Sequence, residues 1–232
     1  MALPRASDSA IAVDGPVGQI EILVDKPVAG TAPKGFALIA HPHPLYGGTN
    51  ENKVVQTLAR AFVQLGYVCW RPNFRGVGAS EGQYDEGLGE TQDLLAVLAA
   101  AKTQLAPLGI DCSKPILAGF SFGSFVQCRV AAALDAGGSP NPGGSGHAQN
   151  YERLVLIGAA TERFNLGPVR SDTLLIHGEK DEVIALASVL DWARPQSLPI
   201  VVVPGGDHFF NHKLVTLKQL ILGAWGVRSI LL

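Results

Sequence analysis

The chain is predicted to be an α/β protein, a mostly parallel central sheet with helices on both faces. Three observations lead there. Short runs dense in Val, Ile and Leu recur, among them "FALIA" (36–40), "RLVLI" (153–157) and "IVVV" (200–203), and unbroken apolar runs of that length are strands buried on both faces. Between them lie longer segments with apolar residues at helical spacing, so strand and helix alternate. The chain has 232 residues, 47% hydrophobic and 16% charged, which suits one domain over 1–232 with a core that needs no staples.

Element by element, "QIEILVD" (19–25) reads as a strand, with "AIAV" (10–13) a partner across the turn at Gly15-Pro16. "GFALIAH" (35–41) is a buried strand, "ENKVVQTLARAFVQLG" (51–66) a helix stopping at Gly66, and "YVCWRPNF" (67–74) a second buried strand. A helix over 91–105, the strand "KPILAG" (114–119) and a helix over 122–134 follow, the last with Phe122, Phe125, Val126 and Val130 on one stripe. The segment 135–150, "DAGGSPNPGGSGHAQN", reads as a Gly/Ser/Pro-rich surface loop. Strands at 153–158 and 173–178, a helix over 183–193, a strand at 200–205 and a helix over 212–225 complete the pattern. No internal repeat or second domain is expected.

Formal net charge is −2 and no Lys/Arg cluster occurs, which argues against nucleic acid or an anionic membrane as partner. Cys69, Cys112 and Cys128 are odd in number and widely spaced, a pattern of free thiols in a reducing compartment. "MALPRASDSA" lacks the apolar core of a signal peptide, and "AWGVRSILL" is short and broken by Arg228. A cytoplasmic protein is expected.

Chemistry concentrates at "ILAGFSFGS" (116–124). Gly-x-Ser-x-Gly is a cheap pattern, with about 0.16 chance matches in a chain of this composition, and it occurs twice, as "GASEG" (78–82) and "GFSFG" (119–123). Ser80 follows a glycine-rich loop and no strand abuts it, so it reads as a loop residue. Ser121 stands where a strand ends and an apolar helix begins, the context of a nucleophile elbow. Gly119 and Gly123 are required there because side chains would strike the tightly folded neighbouring backbone.

A serine hydroxyl needs a base, and the base an orienting acid. In this class of elbow the order is Ser, Asp or Glu, His. Asp181, in "TLLIHGEKDEVI", and His208, in "IVVVPGGDHFF", each follow the carboxyl end of a later strand. Alone, Asp181 reads as a helix-capping turn residue and His208 as a surface histidine; three elements in the right order favour the catalytic reading. Glu179, Glu182 and His212 are rivals, Asp207 can orient backbone, and His177 reads as a structural, partly buried histidine.

Together "AHPHPLYGGTNENKVV", "RPNFRGVGASEG", "AGFSFGS", "HGEKDEVI" and "PGGDHFF" resemble a bacterial group of small, lidless α/β-hydrolases, over nearly the whole chain from Gln19. The resemblance implies the α/β-hydrolase fold with no cap domain, Ser121 as nucleophile, Asp181 as acid, His208 as base, and no cofactor.

Acyl transfer also needs two donors for the oxyanion. One is expected from the Phe122 N–H. The other is expected from "HPHPLYGG" (41–48), where Pro42 and Pro44 carry no N–H, leaving His43 or Leu45; His43 fits better, as the second residue past the strand. A metal site at His41 and His43 is the competing reading, disfavoured because no cysteine or second acidic ligand lies nearby. Only "AATERFNLGPVRSD" (159–172) separates two strands where many α/β-hydrolases insert a lid, so an open site for small or medium acyl groups is expected. Phe120 and Phe122 are expected to pack first and line the pocket second, and Arg75 to anchor a loop rather than bind a carboxylate. The expected function is serine hydrolysis of carboxylic esters (carboxylesterase-like) or related small acyl compounds. Thioester cleavage or perhydrolysis would use the same residues, and a binding protein lacking catalysis is the alternative from another class. Oligomeric state is not legible.

Overall fold

A computed structural model describes residues 9–137 and 150–226 of the chain. Most of the expected 135–150 loop therefore lies outside the described residues, as do both ends of the chain. Eight strands form one sheet: β1 (Ser9–Gly15), β2 (Gly18–Asp25), β3 (Gly35–Ala40), β4 (Tyr67–Pro72), β5 (Ile116–Phe120), β6 (Arg153–Ile157), β7 (Leu174–Gly178) and β8 (Ile200–Val203). Five helices accompany them: α1 (Lys53–Gln64), α2 (Leu88–Leu105), α3 (Phe122–Gly137), α4 (Leu186–Ala193) and α5 (Leu214–Gly226).

The spatial order is β1-β2-β4-β3-β5-β6-β7-β8. β1 and β2 form an antiparallel hairpin closing through Pro16-Val17, and β2 runs antiparallel to β4. From β4 to β8 every pairing is parallel. β3 to β7 are buried almost throughout, because helices cover both faces and leave no polar side for alternation to mark.

Side chains of the sheet alternate between two cores. Leu38, Trp70, Leu117, Leu156 and Leu175 meet α2, α3 and α4, while Ile39, Cys69, Ala118, Ile157 and Ile176 meet α1 and α5. The stripe Phe122, Phe125, Val126 and Val130 belongs to the first core. Cys69, Cys112 and Cys128 are unpaired and buried.

Two helices start three residues from their expected positions. α2 begins at Leu88 because Glu90 turns back to accept the Asp85 and Gly87 N–H groups, supplying the cap that no side chain at Gly87 can. α4 begins at Leu186 rather than 183 because one Asp181 oxygen holds the Val183 and Ile184 N–H groups in a turn ahead of it. No described helix is long and apolar enough to cross a membrane.

Register lines up the carboxyl ends of the strands. Ala40 pairs with Gly119, Phe120 with Ile157, and Gly178 with Val203. The segments that follow, from His41, Ser121, Glu179 and Pro204, therefore emerge along one edge, where open α/β sheets place their sites.

Candidate active site

Ser121 sits between the end of β5 and the first residue of α3 with φ at +55°. That left-handed conformation costs a residue with a Cβ about 1–2 kcal/mol, and the surrounding structure enforces it. The Ser121 N–H donates to Ile157 O at 2.9 Å, and its carbonyl accepts the Ser124 N–H at 2.9 Å and the Ser124 hydroxyl. The two framing glycines are needed for close approach. A Cβ at Gly119 would lie 2.2 Å from Gly123 O, and one at Gly123 2.4 Å from Ala40 O. The turn can fold so tightly, with β3 against it, only where both side chains are missing.

His208 Nε2 lies 3.1 Å from Ser121 Oγ, and its Nδ1 lies 2.7 Å from Asp181 Oδ2. Asp181 therefore works with both oxygens: Oδ1 accepts the Val183 and Ile184 N–H groups at 2.9 and 2.8 Å, and Oδ2 faces the imidazole. Asp181 does not cap the helix, whose N-cap is Ala185; it holds the turn ahead of α4 and faces His208 at the same time. Burial alone would raise its pKa, but the hydrogen bonds from His208 and the two N–H groups outweigh that and pull it below the ordinary carboxylate range. The Phe120 ring lies against His208, centroids 4.9 Å apart.

Asp181 and His208 are brought together by backbone contact between their loops. Lys180 N–H donates to Gly206 O at 2.8 Å, Glu179 N–H to Val203 O at 3.0 Å, and Gly205 N–H to the Glu179 carboxylate at 2.7 Å. Gly178 makes this possible, since a Cβ there would stand 2.5 Å from Gly206 O. Around Ser121 and His208 opens a cleft of about 390 Å³, lined also by His43, Tyr46, Asn52, Arg163, Val183 and Phe209. The segment between β6 and β7 runs past it without forming a cap domain.

The fold has close relatives. A structure of an α/β serine hydrolase homologue from Coxiella burnetii is 34% identical, with a TM-score of 0.79, 95% of this chain and 98% of that one being covered. A lidless α/β serine hydrolase from Xanthomonas campestris is 33% identical with the same TM-score, covering 97% and 96%. The chain belongs to the α/β-hydrolases. This hydrolase is also 30% identical over 221 residues to an uncharacterised protein of Rickettsia prowazekii, covering 90% of this chain and 84% of that one. No protein-family profile matches.

In this hydrolase the segment 41–48 is built around two histidines with separate tasks. His41 is fully buried; its Nδ1 lies 2.6 Å from Pro42 O, and its Nε2 accepts the Phe74 N–H at 2.9 Å. Both nitrogens are thus engaged with backbone, and the ring stands outside the cleft lining. Burial lowers its pKa from 6.5 to about 4. The unfolded chain then takes up a proton that the folded one refuses, so the stability of the neutral ring is whole above pH 6.5 and is lost as pH falls toward 4. Urea midpoints are expected to drop across that window by the equivalent of about 3 kcal/mol; a flat profile would contradict a buried neutral His41.

His43 is half-buried and stacked among aromatic rings, its centroid 4.6 Å from Tyr46, 4.9 Å from Tyr84 and 4.8 Å from Phe122. The Leu45 N–H is turned onto His43 Nδ1 at 3.3 Å, whereas no protein acceptor takes the His43 N–H among the described residues. Burial, then the charge of Arg163, hold the His43 imidazole below its ordinary pKa.

The remaining sequence candidates resolve into structural tasks. Ser80 Oγ donates to Asn73 O and accepts the Glu21 N–H, so it ties a loop to β2. Arg75 grips Asp93 through two hydrogen bonds of 2.8 and 2.7 Å and also reaches Gly89 O. Asp207 receives the Asn211 backbone and amide N–H groups, Glu179 holds Gly205, and Glu182 and His212 stand exposed. Phe122 packs against Phe74, Tyr84, Phe125 and Phe164. His177 corrects an expectation: it is fully buried rather than partly so, its Nε2 lying 3.0 Å from Ile184 O and 3.5 Å from Asp181 Oδ2. The strand that carries it is covered on both sides, and burial lowers its pKa. Arg163, Tyr46, Asn52, Val183 and Phe209 escaped sequence reading, because cleft lining depends on which loops meet and no local pattern announces it.

Proposed function

We propose that this α/β-hydrolase is a serine hydrolase acting on carboxylic esters or related small acyl compounds. The observation that carries the reading is the unbroken run of hydrogen-bonding distances from Ser121 Oγ through His208 to Asp181, opening on a cleft wide enough for a small acyl group. His208 Nε2 takes the Ser121 proton as Oγ attacks the acyl carbon. Asp181 holds Nδ1–H, fixing the tautomer in which Nε2 is free to accept, and steadies the imidazolium that forms. The tetrahedral oxyanion rests on the N–H groups of Phe122 and His43. The free His43 N–H and the occupied Leu45 N–H favour His43 of the two donors expected from this segment. As the C–O bond breaks, His208 returns the proton to the leaving oxygen. Water, deprotonated by the same imidazole, then cleaves the acyl-enzyme, and Ser121 recovers its proton. None of these steps calls for a cofactor.

The test is a screen over acyl esters, thioesters, lactones and amides, paired with labelling by a fluorophosphonate. Turnover of small esters, with covalent label at Ser121, is expected. A protein that binds acyl compounds yet neither turns them over nor accepts the label would be a binding protein on a hydrolase fold.

A further inference from the structure

Among the described residues, one arginine and no lysine line the cleft. Arg163, in the segment between β6 and β7, lines it together with Ser121 and His208, its guanidinium carbon 5.7 Å from the centre of the Tyr46 ring. Among the described residues no carboxylate and no hydrogen-bond acceptor engages that guanidinium. Elsewhere Arg71 sits on Asp25, Arg75 on Asp93, Arg170 on Asp172 and Arg194 on Asp191, while Arg60, Arg129 and Arg153 donate to Gln56 Oε1, Thr91 Oγ1 and backbone carbonyls. The other polar residues lining the cleft are His43, Tyr46, Asn52, Ser121 and His208, none of them a carboxylate, and Asn52 spends its oxygen on the Val54 N–H. The rest of the lining includes the apolar surfaces of Val183 and Phe209. Arg163's charge is felt inside, since after burial it is what depresses the His43 imidazole.

A planar guanidinium that rests on an aromatic ring with no hydrogen-bond acceptor or carboxylate on it, beside a nucleophile, is complementary to a bidentate anion. Arg163 is exposed to solvent, and an exposed arginine is ordinarily just solvated; what sets this one apart is that it lines the cleft beside Ser121 and His208 with no acidic side chain in the lining. We propose that Arg163 recognises a carboxylate carried by the substrate beyond the scissile ester, on its acyl or its leaving side, so that esters bearing a free carboxylate are taken ahead of neutral esters of similar length. The proposal rests on Ser121 being the nucleophile.

The carboxylate can ride on the acyl or the leaving side, and three substrates separate these: mono-4-nitrophenyl glutarate, the pentanoyl ester of 4-hydroxybenzoate, and neutral 4-nitrophenyl pentanoate. For the wild type, kcat/KM is expected to be about tenfold higher for at least one anionic ester than for the neutral one. In Arg163→Gln the anionic-to-neutral ratio should fall about tenfold, mainly through KM; Arg163→Lys should keep part of it and Arg163→Glu should lose more than Gln. Raising salt toward 1 M should shrink the wild-type preference. A ratio within twofold of wild type in Arg163→Gln overturns the proposal.

Binding supplies a readout that needs no turnover. Glutarate affinity is measured by calorimetry in Ser121→Ala and in Ser121→Ala/Arg163→Gln. About tenfold weaker binding in the double variant supports the anion site even if no ester is cleaved, in which case only the nucleophile reading fails. Equal binding overturns the anion site while leaving that reading intact.

Discussion

Ser121→Ala is expected to lower ester kcat/KM by at least about 10⁴-fold while leaving the protein folded. The substitution removes the one oxygen within 3.1 Å of His208 Nε2 and leaves the β5–α3 turn intact, because the hydrogen bonds that hold the turn use the Ser121 backbone. Alanine inherits the strain of φ +55°. Glycine does not, so Ser121→Gly should be equally inactive but more stable than Ser121→Ala by about 1 kcal/mol. Initial rates on 4-nitrophenyl acetate and urea unfolding of both variants check this pair of statements. Undiminished hydrolysis by Ser121→Ala would remove the mechanism. Equal stability of the two variants would mean that the elbow stores no strain.

The second large effect is expected at Asp181→Asn, a fall in kcat of about 10⁴-fold with KM little changed. The two oxygens of Asp181 allow a substitution that spares the fold. Asparagine keeps a carbonyl oxygen to accept the Val183 and Ile184 N–H groups, now taken by Oδ1. Its NH₂ then replaces Oδ2 before His208 Nδ1, at the position now 2.7 Å away. A donor there forces Nδ1 to accept, which places the ring proton on Nε2, and a protonated Nε2 cannot take the serine proton. Asp181→Ala loses the turn cap as well, and should cost about 1 kcal/mol more in stability than the asparagine. Steady-state kinetics set against unfolding midpoints separate these two functions of one side chain. A kcat for Asp181→Asn within tenfold of wild type would show that His208 needs no carboxylate partner.

Much of the sheet was legible because strands covered on both faces leave continuous apolar runs, as in Phe36–Ala40 or Leu154–Ile157, and each such run proved to be a strand. Helix starts were less legible, since they depend on where a side chain turns back onto the backbone. Glu90 reaches toward Gly87, and Asp181 detains Val183 and Ile184, contacts that propensity does not register. His177 was underestimated for a related reason: exposure at the end of a strand depends on what the next loop covers, and the Ile184 carbonyl closes over the imidazole.

Residue types and chain order alone determined that Ser121, Asp181 and His208 follow the carboxyl ends of three strands, because a parallel sheet sends every such end to the same edge. Position along that edge was beyond the sequence. Only the tertiary structure brought His208 to 3.1 Å from Ser121 and 2.7 Å from Asp181, through glycine backbones that let the loops after β7 and β8 touch. It also separated His41 from the cleft and brought Arg163 into it, since a cleft's charge is the sum of side chains that share a space and not a stretch of chain.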